Sequence, residues 1–471
     1  MMTSLHAPPS SPAGCSSSSD GFPVRGVLSL PAGLSCPSWA LRILALLLLA
    51  GSLLSLPAWG RAFRLLLDSG TYSDVSRQWY CCLYVRNGVD PFRAANDALV
   101  RTYGPVQGPD RIRLKKVRIF SVNMTQYDEH TPGLLPGTPP PEAGYAPSSL
   151  AICLALFGFL PEHMLNAYWL GINLLCLLEL IWFFGSPENP ASPRRVLLSL
   201  LFCASILLIW PTTRLVFAHG QFTFFSLLCA LLGLQHRIRR PWLASVFFSL
   251  SLIKPALVLL FLIIPFLERN WRLLTGVALF HGLTTLLIAA MVHATPWALL
   301  SDWMNICRYL LQGGYTFQEI FNALEWENTW IATAITLAFF AYCTGVCWLR
   351  RSRQSWILVT FLCFANLLWT YHERHDFTLL AIPCAFGILQ WLSAPPTPRS
   401  HLRWGSWLGL FVLMGIGLST AAYADQLPFS HLMRWAGRIG IWTAFLWVNV
   451  EIWKDWIQSR GATMARGSSE N

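Results

Sequence analysis

Charged side chains are scarce in this sequence. Asp, Glu, Lys and Arg together make up 12% of its 471 residues, whereas hydrophobic residues make up 54%. A soluble domain usually carries about 25% charged residues, so the scarcity excludes a soluble globular protein. The apolar residues come in blocks near the length that crosses a bilayer, and we therefore predict an all-α polytopic membrane protein.

The sequence also lacks the short motifs of nucleotide and metal sites. It contains no Walker loop, no G-x-G-x-x-G pattern and no Asp-x-Asp pair placed to hold a metal–nucleotide complex. Most of its 13 cysteines lie inside apolar blocks, where a thiol acts as a small hydrophobic group, and no Cys-x-x-Cys spacing indicates a metal site. We predict no cofactor and no metal ion.

The net charge of +11 comes from basic residues in the short links between apolar blocks. Examples are His236–Arg240, Arg350–Arg353 and Pro193–Arg195. This distribution is typical of the cytoplasmic loops of membrane proteins, which are enriched in Lys and Arg. We therefore expect a bilayer as the partner of these charges, and no nucleic acid.

The composition divides the chain into a tail, a membrane domain and a second tail. Residues 1–37 are rich in Ser, Pro and Gly and are predicted to be disordered. The apolar stretch Trp39–Trp59 is long for a signal peptide and is predicted to be a retained first helix. Residues 38–455 then form the transmembrane domain, which includes a large polar extracytoplasmic loop over residues 61–146, and residues 456–471 form a cytoplasmic tail.

Two apolar blocks are predicted not to cross the membrane as simple helices. The first, Tyr145–Leu160, is short and favours a re-entrant or interfacial element. By contrast, the block Val196–Phe217, which is not one of these two, is long enough for one spanning helix. The block Trp242–Leu267 is interrupted by Lys254 and Pro255, because proline breaks a helix and a lysine at mid-bilayer is costly unless it faces a cavity.

Alternation of the remaining blocks assigns sides to the loops. If the basic links are cytoplasmic, the large loop, the turn His219–Gln221 and the turn Tyr371–Asp376 all fall on the extracytoplasmic side. We therefore expect the polar chemistry of the protein to converge there.

The first candidate site residue is Asp74, a carboxylate just past the first helix. At the membrane surface it could act as a general base toward a hydroxyl group. A solvated loop aspartate or a helix cap is the structural alternative. Asp68 is a nearby rival, and the residues by themselves do not choose between the two.

The second candidate is the charged turn Tyr371–Asp376 between two apolar blocks. Arg374, together with His372 or His375, could hold a phosphate, since a guanidinium presents a fork of donors that matches phosphate oxygens. A hydrated turn whose charges pair with each other is the structural alternative.

Two further candidates lie in the middle of the chain. In His219-Gly220-Gln221 the glycine lets a ligand approach the backbone, and Gln221 offers a donor and an acceptor, although the same residues could form a plain helix turn. Lys254 could neutralise an anionic group at depth. The alternative is a lysine that snorkels from a kinked helix, but its block extends about 12 residues on either side, too deep for easy snorkelling.

In this order the motifs resemble those of glycosyltransferase family 87, the membrane transferases with a GT-C type fold. The resemblance rests on four pieces: Asp74 followed by Tyr80 and Gly88-Val89-Asp90-Pro91-Phe92, Tyr145-Ala146-Pro147-Ser148-Ser149-Leu150, Gly220-Gln221, and Leu252-Ile253-Lys254-Pro255. Ala146 stands where the family usually has a proline and Thr223 where it often has Asn, and the loop over Tyr103–Gly144 is longer than usual.

The resemblance implies a GT-C-like bundle of about 10–13 transmembrane or re-entrant helices in the cell membrane. It implies transfer of a hexose or pentose from a polyprenyl-phosphate donor, without a nucleotide sugar, to an extracytoplasmic lipid or glycan acceptor. Mannose and arabinose are both known in the family, and the residues select neither. Asp74 would then be the general base, with His219, Gln221, Lys254, His372, Arg374 and His375 as substrate-binding residues.

A secondary transporter or lipid flippase is the alternative from another class, because a broken helix with a buried charge is also typical of transporters. We find no internal repeat of two halves in the sequence, and the polar loop is large for a transporter. A structural scaffold is a third interpretation, disfavoured by the buried Lys254 and by the charged turn.

Overall fold

The computed structural model describes residues 38–68, 73–103, 134–136, 138–139, 141, 143–185, 193–310, 329–350, 356–369, 372, 374–393, 407, 409–411, 414, 439–454 and 456–457; the side chains of a few residues within the helices are not described. All regular secondary structure in these residues is helical, which confirms the predicted all-α membrane architecture. The predicted tail over residues 1–37 and almost all of the tail over residues 456–471 lie outside the described residues.

The helices, in chain order, are α1 (Ser38–Leu67), α2 (Asp74–Arg86), α3 (Pro91–Tyr103), α4 (Pro147–Leu156), α5 (Glu162–Gly185), α6 (Pro193–Ile209), α7 (Pro211–Ala218), α8 (Thr223–His236), α9 (Pro241–Ser251), α10 (Pro255–Val258), α11 (Ile263–Leu267), α12 (Trp271–Met291), α13 (Pro296–Leu310), α14 (Thr329–Arg350), α15 (Trp356–Leu368) and α16 (Ala381–Ser393). Two 3₁₀ segments cover Leu259–Leu262 and Arg374–Leu380. Residues 439–454 are also helical.

Three of these helices are long and apolar enough to cross a membrane: Arg42–Leu67 within α1, Glu162–Gly185 and Trp271–Met291. The other apolar helices are shorter, with lengths of 10–17 residues. The first helix continues past the predicted end at Trp59 to Leu67. The polar segment that begins at residue 61 therefore starts as helix, and it also contains α2 and α3.

The predicted span Val196–Phe217 is not one straight helix: α6 and α7 together are long and apolar enough for one span, but the chain bends by 71° between them. Pro211 has no N–H group and occupies the first position of α7, where that group would be unpaired in any case. Trp210 adopts an extended backbone at the bend, and its indole Nε1 donates to the carbonyl oxygen of Phe377 at 2.9 Å. The bend lays α7 against the 3₁₀ segment Arg374–Leu380, where the hydroxyls of Thr212 and Thr378 lie 3.0 Å apart.

The chain also breaks where Lys254 and Pro255 interrupt the block Trp242–Leu267. Helix α9 ends at Ser251, and Pro255 occupies the first position of α10. Lys254, which precedes this proline, has φ −124° and ψ 75°, outside the helical region that proline disfavours for the preceding residue. As a result of the break, Lys254 occupies the N-cap position of α10, and its long side chain is buried inside the bundle.

Helices α2 and α4 pack against each other. The ten residues of α4 rise about 15 Å, too little to cross a hydrocarbon core of about 30 Å. Trp79 of α2 donates from Nε1 to the carbonyl oxygen of Leu160 at 2.9 Å, and Arg86 donates to the carbonyl oxygen of Gly158 at 3.0 Å. These bonds fix α2 to the link between α4 and α5.

The apolar interior consists of two clusters, and neighbouring residues near positions 222–224 and 252–254 belong to different clusters. One contains Val75, Trp169, Phe222 and Ile253, and the other contains Phe224 and many residues of α6 to α16. Phe222 and Phe224 flank Thr223, and Ile253 directly precedes Lys254. The polar side chains at these positions therefore lie along the border between the two clusters.

Candidate active site

Asp74 is the first residue of α2, and the surrounding backbone fixes its position. The N–H of Asp74 donates to the carbonyl oxygen of His219 at 2.8 Å. Ser73 caps the helix, since its Oγ accepts from the N–H of Ser76 at 3.3 Å. Ser73 Oγ also lies 3.0 Å from Oδ1 of Asn166 on α5. The start of α2 is therefore held against the end of α7 and against α5.

The turn after α7 requires the glycine at position 220. Gly220 has φ +60°, a conformation that L residues with a side chain rarely adopt. A Cβ atom there would lie 3.1 Å from Leu66 and Val75 and 3.2 Å from Ser73. The absence of a side chain thus allows the turn to press against α1 and the start of α2, which places His219 and Gln221 on either side of Asp74.

Gln221 is buried and joins Asp74 to the interior of the protein. Its Nε2 donates to Oδ2 of Asp74, while Oδ1 of Asp74 lies 3.5 Å from Nη1 of Arg77. The backbone carbonyl of Gln221 accepts from the indole of Trp169 at 3.3 Å. The side chain of Asp74 is 19% exposed, so this carboxylate is the end of the site that faces outward.

Lys254 lies on the other side of Gln221. Its ammonium donates to Oε1 of Gln221 at 3.0 Å, approaches Oδ1 of Asp376 to 2.5 Å and lies 2.9 Å from Nε2 of His375. The side chains of Lys254 and Asp376 are 10% and 3% exposed. A buried charge requires a partner, and Asp376 supplies it.

Asp376 connects Lys254 to the charged turn. Thr223 Oγ1 donates to Oδ1 of Asp376 at 3.1 Å, and Nδ1 of His372 lies 3.2 Å from Oδ2. The other nitrogen of His372 lies 2.6 Å from the carbonyl oxygen of Asn366. We refer to Asp74, Gln221, Lys254, Asp376 and His372, each in contact with the next, as the buried polar chain.

The structure brings together most of the residues that the sequence analysis singled out. Asp74, Gln221, Lys254 and His372 belong to the buried polar chain, and His375 contacts Lys254. His219 is exposed, and its ring centroid lies 6.4 Å from that of His375. The side chain of Arg374 lies outside the described residues, although its backbone begins the 3₁₀ segment. Asp68, the rival of Asp74, is exposed just past the end of α1.

The sequence analysis assigned no role to Asp376 or Thr223, which both contact Lys254. Lys254 itself was the feature of the sequence that could have indicated Asp376, because a charge buried in an apolar block needs a counter-ion. The charged turn was the place to look, since Asp376 directly follows His375 there. The hydroxyl of Thr223 reaches Oδ1 of Asp376 at 3.1 Å.

Asp90, from the Gly88–Phe92 motif, has a structural role in this arrangement. Its Oδ1 accepts from the N–H groups of Phe92 at 2.8 Å and Arg93 at 3.2 Å, so it caps the start of α3. Burial raises the pKa of this carboxyl above its ordinary value, and the two backbone bonds oppose the rise. The motif therefore orders α3 beside α2 and is separate from the buried polar chain.

The arrangement suits chemistry in which a proton leaves at one end and negative charge develops at the other. The carboxylate of Asp74 is 19% exposed, the side chain of Lys254 is 10% exposed, and the amide of Gln221 joins the two. Among the described residues, no group of three His, Cys, Asp or Glu side chains is placed to hold a metal ion.

These features define a polytopic helical membrane protein with a charged network between its helices. The chain belongs to glycosyltransferase family 87, whose family model matches residues 145–393. This range includes Gln221, Lys254 and Asp376, whereas Asp74 precedes it.

Two curated relatives are similar to the chain, each named alpha-(1->3)-arabinofuranosyltransferase and each from a strain of Mycobacterium tuberculosis. Each is 23% identical over 312 residues, a region that covers 61% of this chain and 65% of the relative. The chain thus spans less than two thirds of the length of these relatives. No solved structure matches the chain.

Proposed function

We propose that this protein is a membrane glycosyltransferase that moves a hexose or pentose from a polyprenyl-phosphate donor to a lipid or glycan acceptor. The observation that carries the proposal is the link from Asp74 through Gln221 to Lys254. It pairs a carboxylate that faces outward with a buried cation, which are the two groups that such a transfer needs.

In the proposed reaction, Asp74 removes the proton from the acceptor hydroxyl. The acceptor oxygen attacks the anomeric carbon of the donor sugar and forms the new glycosidic bond, while the bond from that carbon to the phosphate oxygen breaks. The proton ends on the carboxylate of Asp74, and the polyprenyl phosphate departs with the additional negative charge. A general base in this position contributes about 10²–10⁴-fold to the rate.

Lys254 is the group proposed to stabilise the departing phosphate. A cation fixed where negative charge develops lowers the barrier most effectively in a site that excludes water, and Lys254 is buried. His375 adds a nitrogen 2.9 Å from the ammonium. Arg374, at the start of the 3₁₀ segment, and His219, at the exposed rim, are proposed as further contacts to the donor or acceptor.

The donor and the sugar are proposed from family membership together with the site. The relatives carry a name that specifies transfer of arabinofuranose, a pentose, while mannose stays equally open for this chain. The location of the protein in the cell membrane with an extracytoplasmic site is part of the proposal. It is supported by the positions of the basic links between apolar blocks: if these links are cytoplasmic, alternation of the blocks places the charged turn on the opposite side.

A transporter or flippase finds less support. The two helix breaks, at Trp210-Pro211 and at Lys254-Pro255, both lie between residues 193 and 267. In transporters built from repeats, discontinuous helices stand at corresponding positions of the two halves. Neighbouring breaks that converge on one carboxylate and one lysine fit a catalytic site better.

The donor class can be tested with purified protein in proteoliposomes. Radiolabelled mannose and arabinose would be supplied either as polyprenyl-phosphate sugars or as nucleotide sugars, with bacterial lipid and glycan extracts as acceptors. We expect transfer from a polyprenyl-phosphate sugar and none from a nucleotide sugar. Transfer from nucleotide sugars alone, or no transfer from any donor, would contradict the proposal.

A further inference from the structure

Asp376 has both carboxylate oxygens engaged inside the bundle. Oδ1 lies 2.5 Å from the ammonium of Lys254 and accepts from Thr223 at 3.1 Å. Oδ2 lies 3.2 Å from Nδ1 of His372, and His375 Nε2 lies 3.5 Å from Oδ1. With a side chain only 3% exposed, this carboxylate is held by groups from α8, the helix break and the charged turn at once.

The second observation concerns the direction of the hydrogen bonds at Gln221. A lysine ammonium has only donors, so the acceptor that it meets must be the amide oxygen of Gln221. The amide nitrogen then points the opposite way, toward Oδ2 of Asp74. A charged Lys254 in this position therefore determines which end of the Gln221 amide faces Asp74.

We propose that Asp376 is a positioning residue of this site: it holds the ammonium of Lys254 in place and, through the amide of Gln221, sets the orientation of Asp74. Its effect on transfer rests on the proposed function. Its effect on the side chains does not, because it follows from the contacts alone. The buried polar chain links the charged turn before α16 to the start of α2, which are far apart in the sequence.

The physical reason is the cost of a buried lysine without a partner. If Asp376 loses its charge, Lys254 retains only neutral partners, and the cost of removing its ammonium from water is no longer offset. The ammonium would then move toward other acceptors or toward water, and the amide of Gln221 would lose the contact that orients it. Asp74 would keep its place on α2 but lose the donor directed at Oδ2.

The coupling can be measured without any substrate. Purified protein in detergent would carry Asp376→Asn, Gln221→Leu or both, and the melting temperature would be recorded for each. If the two residues act through Lys254, the fall in Tm of the double variant is smaller than the sum of the two single falls. In a Lys254→Met background the same two changes should add. A simple sum in the wild-type background would overturn the proposal.

A milder variant guards against loss of folding. Thr223→Val keeps the shape of the side chain and removes the hydroxyl that donates to Asp376. We expect a small fall in Tm that shrinks when Asp376→Leu is already present, because leucine offers the Thr223 hydroxyl no acceptor. A fall of the same size in both backgrounds would show that Thr223 acts on something else, which would contradict the arrangement. Lys454→Gln, at an exposed lysine outside the buried polar chain, serves as the control, and its change in Tm should be the same with and without the substitution at Asp376.

The second arm measures transfer, with kcat and KM determined separately. Asn has the shape of Asp but no charge, so a packing role predicts full activity for Asp376→Asn. The proposal predicts that kcat falls at least about tenfold, the equivalent of 1.4 kcal/mol, with a smaller change in KM. Asp376→Glu should recover part of the loss. Equal activity of the Asn variant and wild type would overturn the proposal.

The two arms separate the possible failures. If the wild-type protein transfers no sugar from any donor, the proposed function fails, and the Tm measurements still decide whether Asp376 couples to Gln221. If transfer occurs and the Tm falls simply add, the function stands and the positioning role is wrong.

Discussion

The ammonium of Lys254 lies 2.5 Å from Oδ1 of Asp376, and the two residues come from a helix break and from a turn that are far apart in the sequence. This contact explains how a lysine is accommodated in an otherwise apolar block. It also means that an anionic substrate does not meet an unpaired cation. A phosphate that approaches Lys254 enters a site in which the charges are already balanced, and it must add to or replace part of the interaction with Asp376.

The amide of Gln221 is the direct link between this charge pair and Asp74. Gln221→Leu removes the donor to Asp74 and the acceptor for Lys254 at similar side-chain volume. Loss of buried hydrogen bonds to charged groups costs roughly 1–3 kcal/mol, so we expect transfer to fall about 10- to 100-fold.

Ser249→Ala provides the matched control for Gln221→Leu. Ser249 is also buried, and its hydroxyl makes no hydrogen bond within the described residues. Transfer rates by this variant should equal those of wild type. If Gln221→Leu were equally active, the amide would have no part in the site.

Gly220 should tolerate no side chain. Gly220→Ala places a methyl group 3.1 Å from Leu66 and Val75 at a residue with φ +60°. The left-handed conformation alone costs on the order of 1 kcal/mol or more for a residue with a Cβ, and the contacts add to this cost. We expect a lower Tm and a loss of transfer, because the turn carries His219 and Gln221.

Gly282→Ala tests whether this effect is specific to the turn. Gly282 lies within α12, and a Cβ there would have no atom within 4 Å. Because Ala favours helices over Gly by about 1 kcal/mol, Gly282→Ala should leave transfer unchanged and raise Tm slightly. A similar loss for both variants would indicate a general intolerance of substitution and contradict the argument for the turn.

At the opposite end of α8, Arg237 and Glu268 form a paired contact. Arg237 Nε and Nη2 each lie 2.8 Å from an oxygen of Glu268, with side-chain exposures of 3% and 33%. Glu268→Gln leaves the arginine charge without its partner and should lower the free energy of unfolding by roughly 1–3 kcal/mol. Thermal unfolding in detergent would measure this change.

The pair Lys454–Glu451, in which the lysine is exposed and the glutamate is buried, is the comparison for this contact. The lysine side chain is 62% exposed and its Nζ lies 3.6 Å from the carboxylate oxygen. Because the ammonium stays mostly in solvent and the separation is long, this contact contributes about 0–1 kcal/mol, so Lys454→Gln should change Tm less than Glu268→Gln does. Equal effects of Lys454→Gln and Glu268→Gln would show that burial of Arg237 does not matter.

The contact between α3 and α13 should weaken as the pH rises. Burial raises the pKa of Asp302, and the charge of Asp90 raises it further; burial also raises the pKa of Asp90 itself. A carboxyl with a raised pKa binds its proton more tightly in the folded state, so its contribution to stability is present at low pH and is lost as pH rises through the raised value. This window begins just above the ordinary carboxyl pKa of about 4.

Hydrogen exchange of α13 amides would test the pH effect. Exchange, corrected for its intrinsic pH dependence, should be slower near the ordinary carboxyl pKa of about 4 than at about pH 7 in wild type, because the contribution of carboxyls with a raised pKa is lost as the pH rises. In Asp302→Asn this difference should shrink. An unchanged pH dependence in the variant would rule out Asp302 as its source.

Much of the helical architecture could be predicted from composition, because apolar blocks of spanning length have few alternatives in a membrane. The break at Lys254 was visible for the same reason, since a lysine and a proline interrupt the block. The bend at Trp210-Pro211 was not, because an apolar run with one proline is compatible with either a kinked or a broken helix. The contact of Trp210 with Phe377 decides for the break, and it depends on tertiary packing.

For the candidate site, too, the sequence indicated some of the residues but not the contacts between them. Residue types and their order pointed to Asp74, Gln221 and Lys254, but no local pattern indicates which side chains meet across the bundle. Asp376 has its role because the bend before α7 and the break before α10 bring Thr223 and Lys254 to the charged turn. Pairings of this kind arise from the fold and leave no periodic signal in the sequence.

The most direct test of the account compares Asp74→Asn with Asp68→Asn in the proteoliposome transfer assay at matched protein levels. Both changes remove one carboxylate near the end of α1 and the start of α2, but only Asp74 is known to contact Gln221. We predict that Asp74→Asn loses about 10²–10⁴-fold in rate, whereas Asp68→Asn stays near wild type. Full activity of Asp74→Asn, or loss in Asp68→Asn alone, would contradict the assignment of Asp74 as the base.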